Sequence, residues 1–596
     1  MPVAALVCAT VMAVLLHLRY GYLSGTDDHL VLSLQGLQWA RPGFLVDDWF
    51  VRSAPQPHVL FDVVTWAGAA IGHLSAVYLA WWLVGLLVGG VATALLARAW
   101  APRHVVLTSG AVCAVLALGP QVALGSTTPA LPIALPHQLG GFLGYLTGVL
   151  LLTRRPRAAA LACVGTAVVH VQIGALVAVV CVLAAIAVRL TERRWWWWPL
   201  GGAAVAGGVV VSVLRLRPVA AQPDDFVQIC REVIPFHCDV PSWSAGQLYS
   251  GFAVVAAALL TVVLVTRHAG TAVTRRPPDD VVLWVAVVGT PALGLTLGVL
   301  ADGVGVPVLG RLAQSTNIFR LAVLLLPWGA WGLVGVLSEP GRLRLPRRVA
   351  VRAGLVALLV AVVAVAGFGW LEPRGGDTLL AGHRLWALAA VLAATVATAT
   401  GLLAGAGSNG LAGPADRAWR RPNLPAAGAA AAALLVLAGA VRGGALQWRP
   451  LRVTFVADPL ARAMGSAVAR HVPPGEVVEA PPSFGTLRLT SGRSLLVDCK
   501  AVPYGGAPWQ DYRARLDALG GRGACSHGGV PYLRLPATAL TATAQRYGAR
   551  YLVLPARDPR SAAITGDGWQ VLVTPSRRDG NVWLLAAPGA RDAAAG

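Results

Sequence analysis

The chain has 596 residues, is 56% hydrophobic and 13% charged, and has a mean hydropathy of +0.64. A soluble protein cannot hide that much apolar surface, whereas about 30 Å of hydrocarbon calls for runs of about 20 apolar residues. The formal net charge of +21 comes almost wholly from arginine, with Lys500 the one lysine, and the arginines cluster between apolar runs; they read as groups that orient helices and touch anionic lipid, not as a nucleic-acid surface.

The first apolar run, residues 2–18, lacks a basic leader and a small-x-small cleavage site, so it reads as a retained first span. An acid-rich loop, residues 23–58, follows. Loops 98–104, 154–157, 189–194, 267–280, 339–352 and 406–421 each hold several Arg or His and are expected on the cytoplasmic side. Loops 23–58, 125–137, 215–243, 301–315 and 371–384 are then expected outside. Residues 158–188 are apolar with basic flanks at both ends, which one span cannot satisfy. Two short helices meeting at His170, Val171 and Gln172 satisfy it, since a broken helix is tolerated where the break faces protein or a watery cavity. The count is then about 11–13 spans, with the N-terminus cytoplasmic and the multi-pass chain in the plasma membrane.

The first outer loop carries the densest chemistry. Asp27, Asp28 and His29 follow Gly21, Gly25 and Thr26, and Asp47 and Asp48 lie in a second acidic pair between Phe44 and Phe50. Adjacent carboxylates suit a general base toward a hydroxyl, or a divalent cation such as Mg or Mn, with Asp28 as its ligand. Asp27 also suits capping of the helix that follows, and Asp48-Trp49 suits an interfacial anchor. Further candidate binding groups at the outer ends of spans are His137, His170, Arg311, Asn317 and Arg320. Arg320, about one turn into a span, is placed to grip a phosphate, with snorkelling to head groups as the plainer role. Asp279 and Asp280 read as a helix cap, and Trp195 to Trp198 as an interfacial anchor. No phosphate-loop, nucleophile-elbow or zinc signature is present.

Cys8, Cys113, Cys163 and Cys181 fall in apolar runs and read as small core residues. Cys230, Cys238, Cys499 and Cys525 fall on the outer side, where the simplest pairing is 230 with 238 and 499 with 525. From about Leu451 the composition becomes less apolar. Strand-like runs at 495–497, 551–554 and 571–573 alternate with helix-like runs at 460–470 and 509–519, which predicts a small α/β domain. The division is a polytopic transmembrane domain over 1–445 and an extracytoplasmic α/β domain over 446–596.

The acidic pair after the first span, the many spans, the broken hairpin at His170 and the outer C-terminal domain together resemble the GT-C superfamily of membrane glycosyltransferases. More narrowly, the chain is similar to a family of bacterial polytopic proteins related to it, through the Asp27 region, Phe44 to Phe50, the run from Arg493 to Lys500, Pro503, Trp509, and Arg513 to Leu516. The resemblance implies a cell-envelope enzyme whose sugar donor is carried on a polyprenyl phosphate among the membrane lipids. It implies that Asp27 or Asp28 activates the acceptor or holds a metal, and that transfer occurs on the outer face. Two acidic pairs in one loop leave open which matches the family's acid. Two other readings stand beside it: a lipid or small-molecule transporter, which would use inverted repeats and midplane charges, and a non-catalytic assembly protein that keeps the fold alone.

Overall fold

The computed structural model describes residues 1–102, 105–119, 122–217, 223–269, 280–332, 446–525 and 529–590. The expected loops 339–352, 371–384 and 406–421 lie outside the described residues, as do parts of loops 98–104, 215–243 and 267–280. The chain divides into two compact units, one made of Met1–Tyr22, Trp81–Ser212 and Pro235–Leu451, the other of Leu23–Ala80, Val213–Ile234 and Arg452–Gly596.

Among the described residues five helices are long and apolar enough to cross a bilayer: Pro2–Tyr20, Leu74–Trp100, Val171–Glu192, Trp197–Leu216 and Val281–Gly303. Leu161, Leu190 and Leu216 are 76%, 76% and 77% exposed, a surface that water does not tolerate in bulk and lipid does. The chain is a multi-pass membrane protein. The expectation of about 11–13 spans reaches into residues 333–445, outside the described set.

In the first unit, helix Pro2–Tyr20 packs on Val105–Leu118. A Cβ on Gly90 would lie 2.6 Å from the Ala5 carbonyl oxygen, so glycine here permits the close helix approach typical of membrane interiors. Helices Pro136–Leu152 and Pro156–Val169 both open on proline, whose missing N–H costs nothing in a first turn. The latter ends at His170, whose extended backbone (φ −148°, ψ 104°) separates it from Val171–Glu192. The break falls where the paired basic flanks place it. The limbs differ in length: the first has 14 residues, while the second, with 22, is long enough to span by itself. They touch closely, since a Cβ on Gly174 would sit 2.2 Å from Ala167 Cα. At the other end, Arg154, Arg157 and Arg189 lie over Trp196, Trp198 and Trp195 at 5.3, 5.2 and 5.8 Å, so the tryptophan run is held by cation–π contacts. Arg154 also pairs with Glu192 and Asp280, and Asp280 caps Val281–Trp284 through the amides of Val282 and Leu283 at 3.1 and 3.3 Å. A two-stranded hairpin, β1 (Val122–Ala123) and β2 (Ser126–Thr127), precedes His137.

The second unit is built on five strands: β3 (Val477–Glu479), β4 (Ser494–Leu495), β5 (Tyr551–Pro555), β6 (Gln570–Val573) and β7 (Val582–Ala586), in the order β4-β3-β5-β7-β6. β3 runs parallel to β4 and β5, while β7 runs antiparallel to β5 and β6. Helices Pro459–His471, Gly506–Ala518 and Ala537–Arg546 cover the sheet, which gives the expected α/β domain. One apolar cluster gathers Leu496, Trp509, Leu552 and Leu585, the other Val468, Val478, Val553 and Leu584. Segments Leu23–Ala80 and Val213–Ile234 belong to this unit. Ile229 lies in the first cluster, Trp49 Nε1 donates to the Leu495 carbonyl at 3.0 Å, and the Phe455 amide donates to Ser75 Oγ at 3.0 Å. Cys499 and Cys525 form the expected disulfide, and the four apolar-run cysteines are buried free thiols.

Candidate functional site

The loop after the first helix is bent by glycine. Gly25 has φ +70°, and a Cβ there would sit 2.3 Å from the Val456 amide nitrogen, so only glycine lets the loop lie against that segment. The Gly25 amide donates to His29 Nδ1 at 2.9 Å. His29 is fully buried, with Tyr78 at 4.6 Å, Phe61 at 6.1 Å and Phe455 at 6.2 Å between ring centroids. The histidine expected to meet substrate therefore anchors the loop from behind.

With the loop so held, the acid pair turns outward. Asp28 precedes the single-turn helix His29–Leu32 but makes no side-chain capping bond, and Asp27 takes a left-handed backbone (φ 50°). Capping does not use these carboxylates. Both instead meet Lys500, whose Nζ donates to Asp27 Oδ1 at 2.6 Å and lies 2.8 Å from Asp28 Oδ1. All three side chains reach solvent, with exposures of 58%, 48% and 38% for Asp27, Asp28 and Lys500. Burial alone would lower the lysine pKa, but Asp28 and Asp27 outweigh it and hold the ammonium well above its ordinary range.

Lys500 is positioned by a second ionic cluster beneath it. Asp498 Oδ1 accepts from the amides of Lys500 and Ala501 at 2.8 and 2.7 Å, and its other oxygen pairs with Arg488. Arg488 is fully buried and also donates through Nε to Asp48 Oδ2 at 3.2 Å. Asp48 in turn accepts from Ser494 Oγ at 2.9 Å and from the amides of Phe50 and Val51, each at 3.1 Å. Asp48, read in the sequence as a binding residue, is thus committed to the interior as a cap and ion-pair partner. Asp47 is exposed beside it and pairs with Arg52.

The first unit holds a separate polar cluster. His137 Nε2 contacts Thr127 Oγ1 at 2.8 Å, and Nδ1 faces Arg320 Nη1 at 3.5 Å. His170 lies 6.0 Å from His137 between centroids and accepts from the Ile173 amide at 3.3 Å, capping its helix. Arg320 sits in the turn Ile318–Arg320, at the start of Leu321–Ala330 rather than a turn inside it. Asn317 is left-handed (φ 47°) and 7% exposed, and its Oδ1 finds no partner among the described residues. Arg311 lies exposed on Pro307–Ser315. Buried Asp302, not singled out in the sequence, accepts from Gln314 Nε2 at 2.7 Å and the Val240 amide at 2.9 Å.

Lys500, Arg488 and Asp498 were also missed as site residues. The one signal available was composition: a single lysine among 48 lysines and arginines.

A family model described as "Domain of unknown function (DUF6798)" matches residues 461–519, a span that includes Arg488, Asp498 and Lys500. No curated protein sequence matches the chain. Among solved structures it is similar to ArnT from Cupriavidus metallidurans in the apo state, at 15% identity and a TM-score of 0.44, over 98% of this chain and 97% of that one. It is also similar to the Archaeoglobus fulgidus oligosaccharyltransferase in complex with zinc and sulfate, at 13% identity and a TM-score of 0.36, over 92% of this chain and 67% of that one.

Proposed function

We propose that the chain is a membrane glycosyltransferase that moves a sugar from a polyprenyl-phosphate-linked donor to a hydroxyl acceptor on the outer face of the membrane. The observation that carries this reading is the acid pair. Asp27 and Asp28 make no capping bonds, face solvent and are fixed from below through Lys500, Asp498 and Arg488. In this reading one carboxylate accepts the proton of the acceptor hydroxyl as its oxygen bonds to the sugar C1. The bond from C1 to the phosphate oxygen breaks, and the polyprenyl phosphate departs with the electron pair. The N-terminus is then cytoplasmic, and the C-terminal domain shares the outer face with the acid pair.

The test has two parts. Mass spectrometry of lipid co-purified with the protein should find a polyprenyl phosphate or its glycoside. In a reconstituted transfer assay, Asp27→Asn or Asp28→Asn should lower the rate by about 100-fold or more while the melting temperature stays near that of the parent. Full activity in both variants would remove the acid pair from the reaction.

A further inference from the structure

A carboxylate pair at a membrane mouth invites a divalent cation. The described residues contain no group of three or more His, Cys, Asp or Glu that could hold a metal ion. At the acid pair itself, the space between the two carboxylates is taken by a cation of the chain's own. Lys500 Nζ lies 2.6 Å from Asp27 Oδ1 and 2.8 Å from Asp28 Oδ1. A Mg ion would need to sit about 2.1 Å from the same oxygens, where the ammonium and the metal exclude each other by both volume and charge.

We propose that Lys500 is a built-in replacement for a metal: its ammonium holds Asp27 and Asp28 in place and offsets their mutual repulsion, so that the pair works with no divalent cation bound. Three observations support this. The ammonium engages both carboxylates at once, which a surface ion pair formed by chance has no reason to do. Its backbone is not loose, because Asp498 receives the amides of Lys500 and Ala501, and Cys499 is tied to Cys525. The residue is also the one lysine among 48 lysines and arginines. An ammonium is a compact tetrahedral donor that can fit between two neighbouring carboxylates, whereas the flat guanidinium fork is shaped to grip one carboxylate with two parallel bonds. One lysine against two aspartates leaves the cluster with a net negative charge, which suits a proton acceptor and not a site that must draw in a phosphate. The catalytic part of this inference rests on the proposed transferase reading; the exclusion of metal does not.

The experiment is a Mn2+ titration of the full-length, metal-stripped protein in detergent, followed by electron paramagnetic resonance. The parent protein should show no saturable Mn2+ site that depends on Asp27 or Asp28. Lys500→Met and Lys500→Gln, each checked for an unchanged fold by circular dichroism, should gain such a site, binding Mn2+ about tenfold or more tightly than the parent. Adding Asp28→Asn should abolish it, and Lys500→Arg should keep the metal out. Saturable binding by the parent that vanishes in Asp27→Asn or Asp28→Asn overturns the proposal, and this arm needs no lysine variant to fold. So does the absence of any gain in two folded lysine variants. Because the readout is metal binding, a failure of the transferase reading would leave these outcomes unchanged and so be told apart. If transfer is observed, EDTA should leave the parent's rate intact, and Mn2+ should restore part of the activity lost in Lys500→Met.

Discussion

The ionic cluster under the acid pair makes a quantitative claim that Arg488→Met tests. Arg488 and Asp48 have fully buried side chains, and that of Asp498 is 2% exposed. Methionine fills much of the same volume but leaves two carboxylates inside the protein without their counter-charge. Ser494 and four backbone amides still serve those carboxylates, so part of the solvation lost to burial remains. Removing one partner of a buried ion pair costs about 3–5 kcal/mol, and the retained hydrogen bonds place the expectation toward the lower end, about 3 kcal/mol. At about 2–4 °C per kcal/mol for a unit of this size, the melting temperature should fall by about 10 °C. Tryptophan fluorescence is a suitable probe, because Trp49 bonds to Leu495 beside the cluster and lies 4.8 Å from the Arg515 guanidinium. Membrane proteins often unfold irreversibly, so parent and variant must be heated at one scan rate. Adding Asp48→Asn and Asp498→Asn removes the stranded charges and should recover part of the loss. A shift under about 2 °C, or no recovery in the triple variant, would show that the cluster is not held together by these charges.

Two further outcomes follow from the same unit. Glu479 is fully buried, and neither carboxyl oxygen has a hydrogen-bond partner among the described residues; burial, opposed only in part by Arg560, holds its pKa well above the ordinary carboxyl value of 4.5. The folded state then binds this proton more tightly than the unfolded chain, so the contribution of Glu479 to stability is fully present below pH 4.5 and is lost as the pH rises from there through the folded pKa; the difference in stability between parent and Glu479→Gln should therefore change with pH over that window, and a difference that stays constant would refute it. The Cys499–Cys525 disulfide closes a loop with a sequence separation of 26, for which loop entropy gives about 3.5 kcal/mol; the Cys499→Ser, Cys525→Ser double variant should melt about 10 °C lower and position Lys500 less firmly, and an unchanged melting temperature together with an unchanged Lys500 response would argue against that role.

How much of this was legible in the sequence depended on how local the cause was. The break at His170 was readable because basic flanks at both ends of one apolar run leave few alternatives. Strands β5 and β6 were readable as apolar runs, and so were the helices Pro459–His471 and Gly506–Ala518. β3 was not, because it has three residues, is hemmed by Pro473, Pro474, Pro481 and Pro482, and turns a glutamate inward. The fate of Asp48 could not be read locally at all, since the arginine it meets lies 440 positions away. The contact of loop 23–58 with the sheet was hidden for the same reason: Trp49 bonds to Leu495, 446 positions away.

The contrast between the two ionic clusters explains why a chain so committed to arginine keeps one lysine. Arg488 has no exposed surface and must satisfy two buried carboxylates and a carbonyl at once, a task for five fixed donors that do not lose their proton on burial. Lys500 stands at the solvent edge between two adjacent carboxylates on one short loop, where three rotatable donors around a compact charge fit and a planar fork does not. The residue types therefore follow the geometry of the acids they serve. The deeper pair, Asp48 and Asp498, uses its charges to fix structure, while the outer pair, Asp27 and Asp28, keeps two exposed carboxylates poised at the surface. That separation of scaffold from reactive edge is what turns four aspartates and two basic residues into a candidate active site.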